Sequence, residues 1–148
     1  MKIRVLVVDD EDQFVEQLTE RLQLRDYDVS ACYNGEEAVD LLKKLNFDVV
    51  ILDVAMPGMD GVETLRELKS LKPLTEVIML TGHATVESAI EGMKLGAFDY
   101  LLKPTRTDEL VKKVNSAYAR KNNQEERIRQ ATANDLFTSP LSVLKRSK

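Results

Sequence analysis

Apolar residues recur along this chain in two alternating rhythms. Short continuous runs suit strands buried on both faces, and stretches of three-to-four spacing suit helices. Ile3 to Val8 is β-branched and mostly apolar and predicts a first strand, which ends in Asp9-Asp10-Glu11-Asp12. Phe14, Val15, Leu18, Leu22 and Leu24 then follow at helical spacing and predict a helix over about 12–25, with Asp12 as its cap. Tyr27 to Cys32 alternates and predicts a shorter second strand. Asn34-Gly-Glu-Glu37 reads as an N-cap with an acid three residues on, opening a helix through Leu45 with Ala38, Leu41, Leu42 and Leu45 inward.

The unbroken run Val49-Val-Ile-Leu52 predicts a third strand that ends in Asp53, followed at once by a loop rich in Pro and Gly, Val54-Ala-Met-Pro-Gly-Met-Asp-Gly61. Asp60 and Glu63 form another capping pattern, for a helix to about Leu71 that Pro73 closes. Thr75 to Leu80 is a fourth strand delivering Thr81-Gly82-His83. Thr85 caps a helix to Lys94, stopped by Gly96. Ala97 to Lys103 is a fifth strand running into Pro104, and Thr107-Asp-Glu109 opens a fifth helix with Leu110, Val111, Val114 and Tyr118 inward. Five βα units with short connections imply an α/β fold with a parallel sheet covered on both faces.

A parallel sheet gathers all its strand C-termini at one edge. Asp9 and Asp10, Asp53, Thr81 and Lys103 therefore arrive together. Three carboxylates in one place repel, and a hard divalent cation such as Mg²⁺ relieves that repulsion. A hydroxyl and an ammonium opposite them suit an incoming phosphoryl group, so the set fits phosphoryl transfer to a carboxylate. Each residue alone has an ordinary reading as a turn acid, loop hydroxyl or solvated lysine; the coincidence at strand ends carries the argument.

These residues resemble the receiver domain of bacterial two-component response regulators. The resemblance covers about 2–119 and rests on Val7-Val-Asp-Asp10, Leu52-Asp-Val-Ala-Met-Pro-Gly-Met-Asp-Gly61, Leu80-Thr-Gly82 and Asp99-Tyr-Leu-Leu-Lys-Pro104. It implies a flavodoxin-like doubly wound five-stranded sheet of order 2-1-3-4-5. It implies that Asp53 takes a phosphoryl group from a histidine kinase, a phosphotransfer protein or a small donor. Asp10, Asp53 and the backbone carbonyl of Ala55 would bind Mg²⁺, and Asp9 would act through a water. Lys103 would hold a phosphoryl oxygen, Thr81 would move in to bond another, and Tyr100 would follow as the switch. It also implies a cis Lys103-Pro104 bond and a phosphorylation-linked homodimer through helix four to helix five as the family's usual assembly. Ala55 and His83 flank the site at positions that vary in the family, and with no acid or base at Ala55 slow self-dephosphorylation is expected.

Two rivals share part of the pattern. A Mg²⁺-dependent phosphatase of the haloacid-dehalogenase kind also uses an Asp nucleophile with Thr/Ser and Lys, but has a second Asp two residues on, where this chain has Ala55 after Asp53 and Glu11 after Asp9. A flavodoxin needs a Ser/Thr/Gly-rich phosphate loop where four acids stand. Within the receiver reading, a stand-alone docking module and the receiver portion of a longer σ54-activator-like regulator are both open, the latter because Thr81-Gly-His-Ala-Thr-Val-Glu87 resembles that subfamily.

Bulk properties narrow the partners. The 148 residues carry a net charge of −4, with −8 over 1–119 and +4 over 120–148, which disfavours direct nucleic-acid binding by the main domain. The single Cys32 excludes an internal disulfide and fits a cytoplasmic protein, in which it reads as a small buried hydrophobe. No apolar run is long enough for membrane insertion, and no signal peptide is expected. The expected organisation is a receiver at 1–119 followed by an extension and basic tail at 120–148. In that tail 120–130 continues the fifth helix, and the apolar residues of 136–144 form either a strip for docking a downstream protein or a frayed end.

Overall fold

The computed structural model describes residues 2–56, 58–82 and 85–138. The strands are β1 (Arg4–Val8), β2 (Asp28–Cys32), β3 (Val49–Leu52), β4 (Glu76–Thr81) and β5 (Asp99–Leu102). The helices are α1 (Asp12–Leu24), α2 (Gly35–Lys44), α3 (Gly61–Leu71), α4 (Val86–Lys94) and α5 (Thr107–Thr138). All strand pairs are parallel, in the order β2-β1-β3-β4-β5. The register aligns Val8 with Leu52, Leu52 with Met79, and Met79 with Tyr100, so the strand tips lie level along one edge.

Alternation along the central strands splits the core into two layers. Leu6, Val8, Val50, Leu52, Val77 and Met79 face a layer with Ala38 and Leu42 of α2 and Leu65 and Leu68 of α3. Val5, Val7, Val49, Ile51, Ile78 and Leu80 face the other, against Val15, Leu18 and Leu22 of α1 and Leu110, Val114 and Ala117 of α5. β3 is apolar throughout, and β1 and β4 are apolar except at their ends, because both faces of these strands are covered.

Helix entries follow the polar signals with one exception. The side chains of Asn34 and Asp60 accept from the backbone N–H of Glu37 and Glu63 at 2.9 Å each. Thr85 and Ser88 form a reciprocal capping box on α4. Asp12, expected as the cap of α1, is instead its first helical residue; Glu11 stands at the N-cap and makes no side-chain cap bond. Its neighbour Asp9 takes the Glu11 N–H instead, at 3.0 Å.

Two apolar expectations need correction. Leu24 is 79% exposed, because it lies two residues, about 200°, around α1 from the buried Leu22. Leu45 is 42% exposed, because it is the C-cap of α2 with extended backbone and leaves the helical phase. Thr81, expected just beyond a strand, is the last residue of β4 and pairs with Leu102.

α5 is a single helix through Thr138, and so includes the 120–130 stretch expected to extend it. Residues 139–148, which hold most of the expected docking strip, lie outside the described residues. Where α5 passes the starts of the strands it is gripped by a buried acid and a half-buried one. Arg120 bonds Glu76, the first residue of β4 and only 2% exposed, which Lys69 also approaches at 3.5 Å. Lys121 meets Asp48, just before β3, at 3.1 Å and Glu125 at 2.8 Å.

Candidate functional site

The site is built from strand ends. β1 runs directly into Asp9, whose backbone N–H donates to the Cys32 carbonyl at 3.3 Å, extending the β1–β2 ladder by one step. β3 runs into Asp53, whose N–H donates to the Val8 carbonyl at 2.9 Å. These two bonds fix both acids level with each other. Asp9 and Asp53 are buried and Asp10 is exposed. One carboxylate oxygen from each of the three lies within 4.8 Å of the others. Such an all-oxygen set, with an exposed member on the solvent side, fits a hard divalent cation that keeps several waters.

Lys103 follows β5 and enters from the other side. Its backbone N–H donates to the Thr81 carbonyl at 2.9 Å, and the Lys103-Pro104 peptide is cis. Its ammonium, 13% exposed, donates to Asp9 Oδ2 at 2.5 Å and Glu11 Oε1 at 3.2 Å. It also lies 4.0 Å from the centre of the Phe14 ring. Burial works against the lysine's charge, but the bond to Asp9 and the charges of Asp9 and Asp53 outweigh it and hold its pKa above the ordinary value. Burial raises the Asp9 carboxyl above the usual carboxylate range and the Asp53 charge adds to this, against the pull of Lys103 and the Glu11 N–H.

The loop after Asp53 is closed by glycine. Gly61 donates to the Val54 carbonyl at 2.8 Å, and a Cβ there would stand 2.4 Å from the Asp53 carbonyl oxygen and from Val54 Cα. Gly58 takes φ +79°. Glu36, from the first turn of α2, accepts from the Met59 N–H at 3.1 Å and holds the loop from outside. Ala55 is exposed, and its N–H lies 3.4 Å from Asp53 Oδ1.

Thr81 is fully buried at the tip of β4. Tyr100 is half-buried on β5 and packs on the core layer containing Met79. Its hydroxyl shares a hydrogen bond of 2.9 Å with Ser88 Oγ, and Ser88 is itself half of the Thr85 capping box. The tyrosine is thus tied to the first turn of α4. His83 lies outside the described residues.

The structure therefore brings Asp9, Asp10, Asp53 and Lys103 to one edge, with Thr81 at the adjoining strand tip and Tyr100 one strand further out. Sequence reasoning missed Glu11 and Phe14 as contacts of Lys103, Glu36 as a brace of the loop, and Ser88 as partner of Tyr100. Only Ser88 had a signal, its place three residues after a Thr cap.

Comparison with known proteins gives this geometry its context. Residues 5–115, three-quarters of the chain, match the family described as the response regulator receiver domain. The chain belongs to that family. Receivers are signalling domains that partner with histidine kinases.

The receiver is 41% identical over 107 residues to Regulatory protein AtoC of Escherichia coli strain K12, covering 72% of this chain and 23% of AtoC. It is 39% identical to Transcriptional regulatory protein ZraR of Salmonella typhimurium, covering 80% of this chain and 27% of ZraR. The chain thus spans about a quarter of the length of these relatives. Among solved structures, a CheY-like receiver domain protein from Methanospirillum hungatei superposes with TM-score 0.82 at 25% identity, over 84% of this chain and 99% of that one. A response regulator from Burkholderia pseudomallei, solved with a phosphorylated aspartic acid, calcium ion and citrate, gives 0.74 at 27%, over 84% and 73%. The five-stranded parallel order and the five helices are those of this fold. Among the described residues no helix is long and apolar enough to cross a membrane.

Proposed function

We propose that this receiver takes a phosphoryl group on Asp53 and uses it to switch a protein-docking surface. The observation that carries this reading is the convergence of the buried Asp53 with Asp9 and Asp10, their oxygens within 4.8 Å, beside the ammonium of Lys103. A carboxylate oxygen of Asp53 attacks phosphorus, an O–P bond forms, and the P–N bond of a kinase or phosphotransfer-protein phosphohistidine breaks. The departing imidazole nitrogen keeps the electron pair and takes up a proton.

Asp10, Asp53 and the carbonyl of Ala55 would hold Mg²⁺, with Asp9 acting through a water. The cation, when bound, neutralises charge on the acids and on the transferring group. Lys103 answers the two negative charges and three acceptor oxygens that phosphorylation adds. Thr81 donates its hydroxyl to one of those oxygens. Tyr100 responds to Thr81, and because its hydroxyl bonds Ser88, any repositioning of the ring alters the first turn of α4. The surface of α4, β5 and α5 is then the docking and homodimer face. Ala55 offers no group to activate water, which supports slow self-dephosphorylation, with His83 as the second residue to vary.

The division into a receiver at 1–119 and an extension from 120 is part of the same reading. For output, the relatives favour a receiver that works as a piece of a transcriptional regulator, since they match over a receiver-sized quarter of their length. A cytoplasmic location goes with a histidine kinase partner. A Mg²⁺-dependent aspartyl-phosphate phosphatase remains the enzymatic rival, and steady turnover of a phosphate ester would identify it.

The test is incubation with Mg²⁺ and acetyl phosphate, read by intact mass, beside Asp53→Ala. The expected result is one phosphoryl group on the wild type and none on the variant. In parallel, beryllofluoride should move the NMR signals of Thr81, Ser88 and Tyr100. No adduct, or an adduct that survives Asp53→Ala, would overturn the reading.

A further inference from the structure

Lys103 is turned toward the start of α1. An ammonium has three N–H groups, and three partners surround this one: Asp9 at 2.5 Å, Glu11 at 3.2 Å and the ring of Phe14 at 4.0 Å. The partners differ in what a bound cation does to them. Asp9 belongs to the cluster of oxygens that could hold a cation, so a bound cation would compete with the lysine for it. Glu11 stands outside that cluster and Phe14 has no charge, so their hold on Lys103 persists once the acids are neutralised. Glu11 is also relieved of the usual duty of its position, because its carboxylate does not cap α1.

From this geometry we infer that Glu11, backed by Phe14, is a positioning residue that holds Lys103 toward the start of α1, so that the need to release the lysine slows phosphorylation of Asp53. The inference rests on the reading of Asp53 as the phosphoacceptor. Four residues after β1 thereby divide their work. Asp9 and Asp10 face the cation, and Glu11 and Phe14 restrain the lysine. Glu11 is 62% exposed on its side chain, so its pair with Lys103 is worth no more than about a fivefold effect. A weak restraint of this kind tunes a rate without blocking it.

The experiment measures the rate of Asp53 labelling by acetyl phosphate at saturating Mg²⁺, together with beryllofluoride affinity. The proteins are the wild type, Glu11→Gln, Glu11→Ala, Phe14→Leu and Asp12→Asn. Asp12→Asn removes an exposed acid one residue further on and controls for bulk charge. Glu11→Gln and Glu11→Ala should label about three- to fivefold faster and bind beryllofluoride tighter by a similar factor. Phe14→Leu should move in the same direction, and Asp12→Asn should match the wild type. A gain in rate is an outcome that mere structural damage does not give. Equal or slower labelling by both Glu11 variants would overturn the inference, as would an equal gain in Asp12→Asn. If no protein in the set is labelled, the wild type included, the phosphoacceptor reading itself has failed, and that result cannot be confused with equal labelling across the set.

Discussion

Arg120→Ala should destabilise this protein more than Glu76→Gln, although Arg120 is the more exposed partner of the pair. Glu76 is 2% exposed at the start of β4, and its carboxylate is met by Arg120 from α5 and by Lys69 from α3 at 3.5 Å. Removing one partner of a buried ion pair costs about 3–5 kcal/mol when the other charge is left uncompensated. Here Lys69 remains, and Arg120 is 47% exposed, so about 2 kcal/mol is the expected part. The Arg120 guanidinium also lies 4.7 Å from the centre of the Phe98 ring, and losing that contact adds ~0.5 kcal/mol. Glu76→Gln instead removes the buried charge and leaves Arg120 half in water, where solvent satisfies it; about 1 kcal/mol is expected. Urea unfolding followed by far-UV circular dichroism measures both. At an m-value on the order of 2 kcal/mol/M, Arg120→Ala lowers the midpoint by ~1 M. In the double variant the Arg120 deletion should cost at least ~1 kcal/mol less than it does alone. A loss below ~0.5 kcal/mol for Arg120→Ala, or additive single effects, would refute the reasoning that Glu76 is held by charge.

Three further outcomes follow from particular contacts. Asp26 holds φ +71° just after α1, a conformation that glycine adopts without strain, and its pair with Lys2 is exposed; Asp26→Gly should raise the urea midpoint by the equivalent of ~0.5–1 kcal/mol. Cys32 is 1% exposed, and burial, with the charge of Glu37, pushes its thiol up to about 12, so the folded protein should resist a thiol reagent at pH 8 and react in full once unfolded. Burial raises the Tyr27 hydroxyl above its ordinary 10.0, and the acids around Lys103 raise it above 10.5 despite its own burial. Both groups keep their protons longer folded than unfolded, so their stabilisation is complete below about pH 10 and is lost as pH rises through the folded values; Tyr27→Phe should flatten part of that alkaline limb in a stability–pH profile.

The sheet and most of the site were legible because they depend on local chemistry. Val49 to Leu52 is too short for a helix and too apolar for a surface strand, so Asp53 had to stand at a buried tip, and the parallel sheet brought Asp9, Asp10 and Lys103 to it. What was hidden depends on distant partners. Glu76 reads as a polar strand start and is instead buried, its carboxylate met by Lys69 and by Arg120, 44 residues on. Lys121 reads as the beginning of a solvated helix and is instead fixed to Asp48. Glu11 reads as one more acid in a run of four, since its bond to Lys103 spans 92 residues. Leu24 and Leu45 show the limit of periodicity itself, which assigns a face only while the helical phase holds.

The grip of Glu76 and Asp48 on α5 makes the rest of that helix a cantilever. From Arg120 to Thr138 it runs ~27 Å at 1.5 Å per residue. It is stiffened along its length by Lys121–Glu125 and Glu126–Arg129 pairs. A tilt of about 10° at the mount sweeps the far end by ~5 Å, close to one helical turn. The mount is formed by the starts of the two strand segments that end in Asp53 and Thr81, so a rotation too small to matter on the domain's own surface arrives at residue 138 as a displacement the size of a side chain.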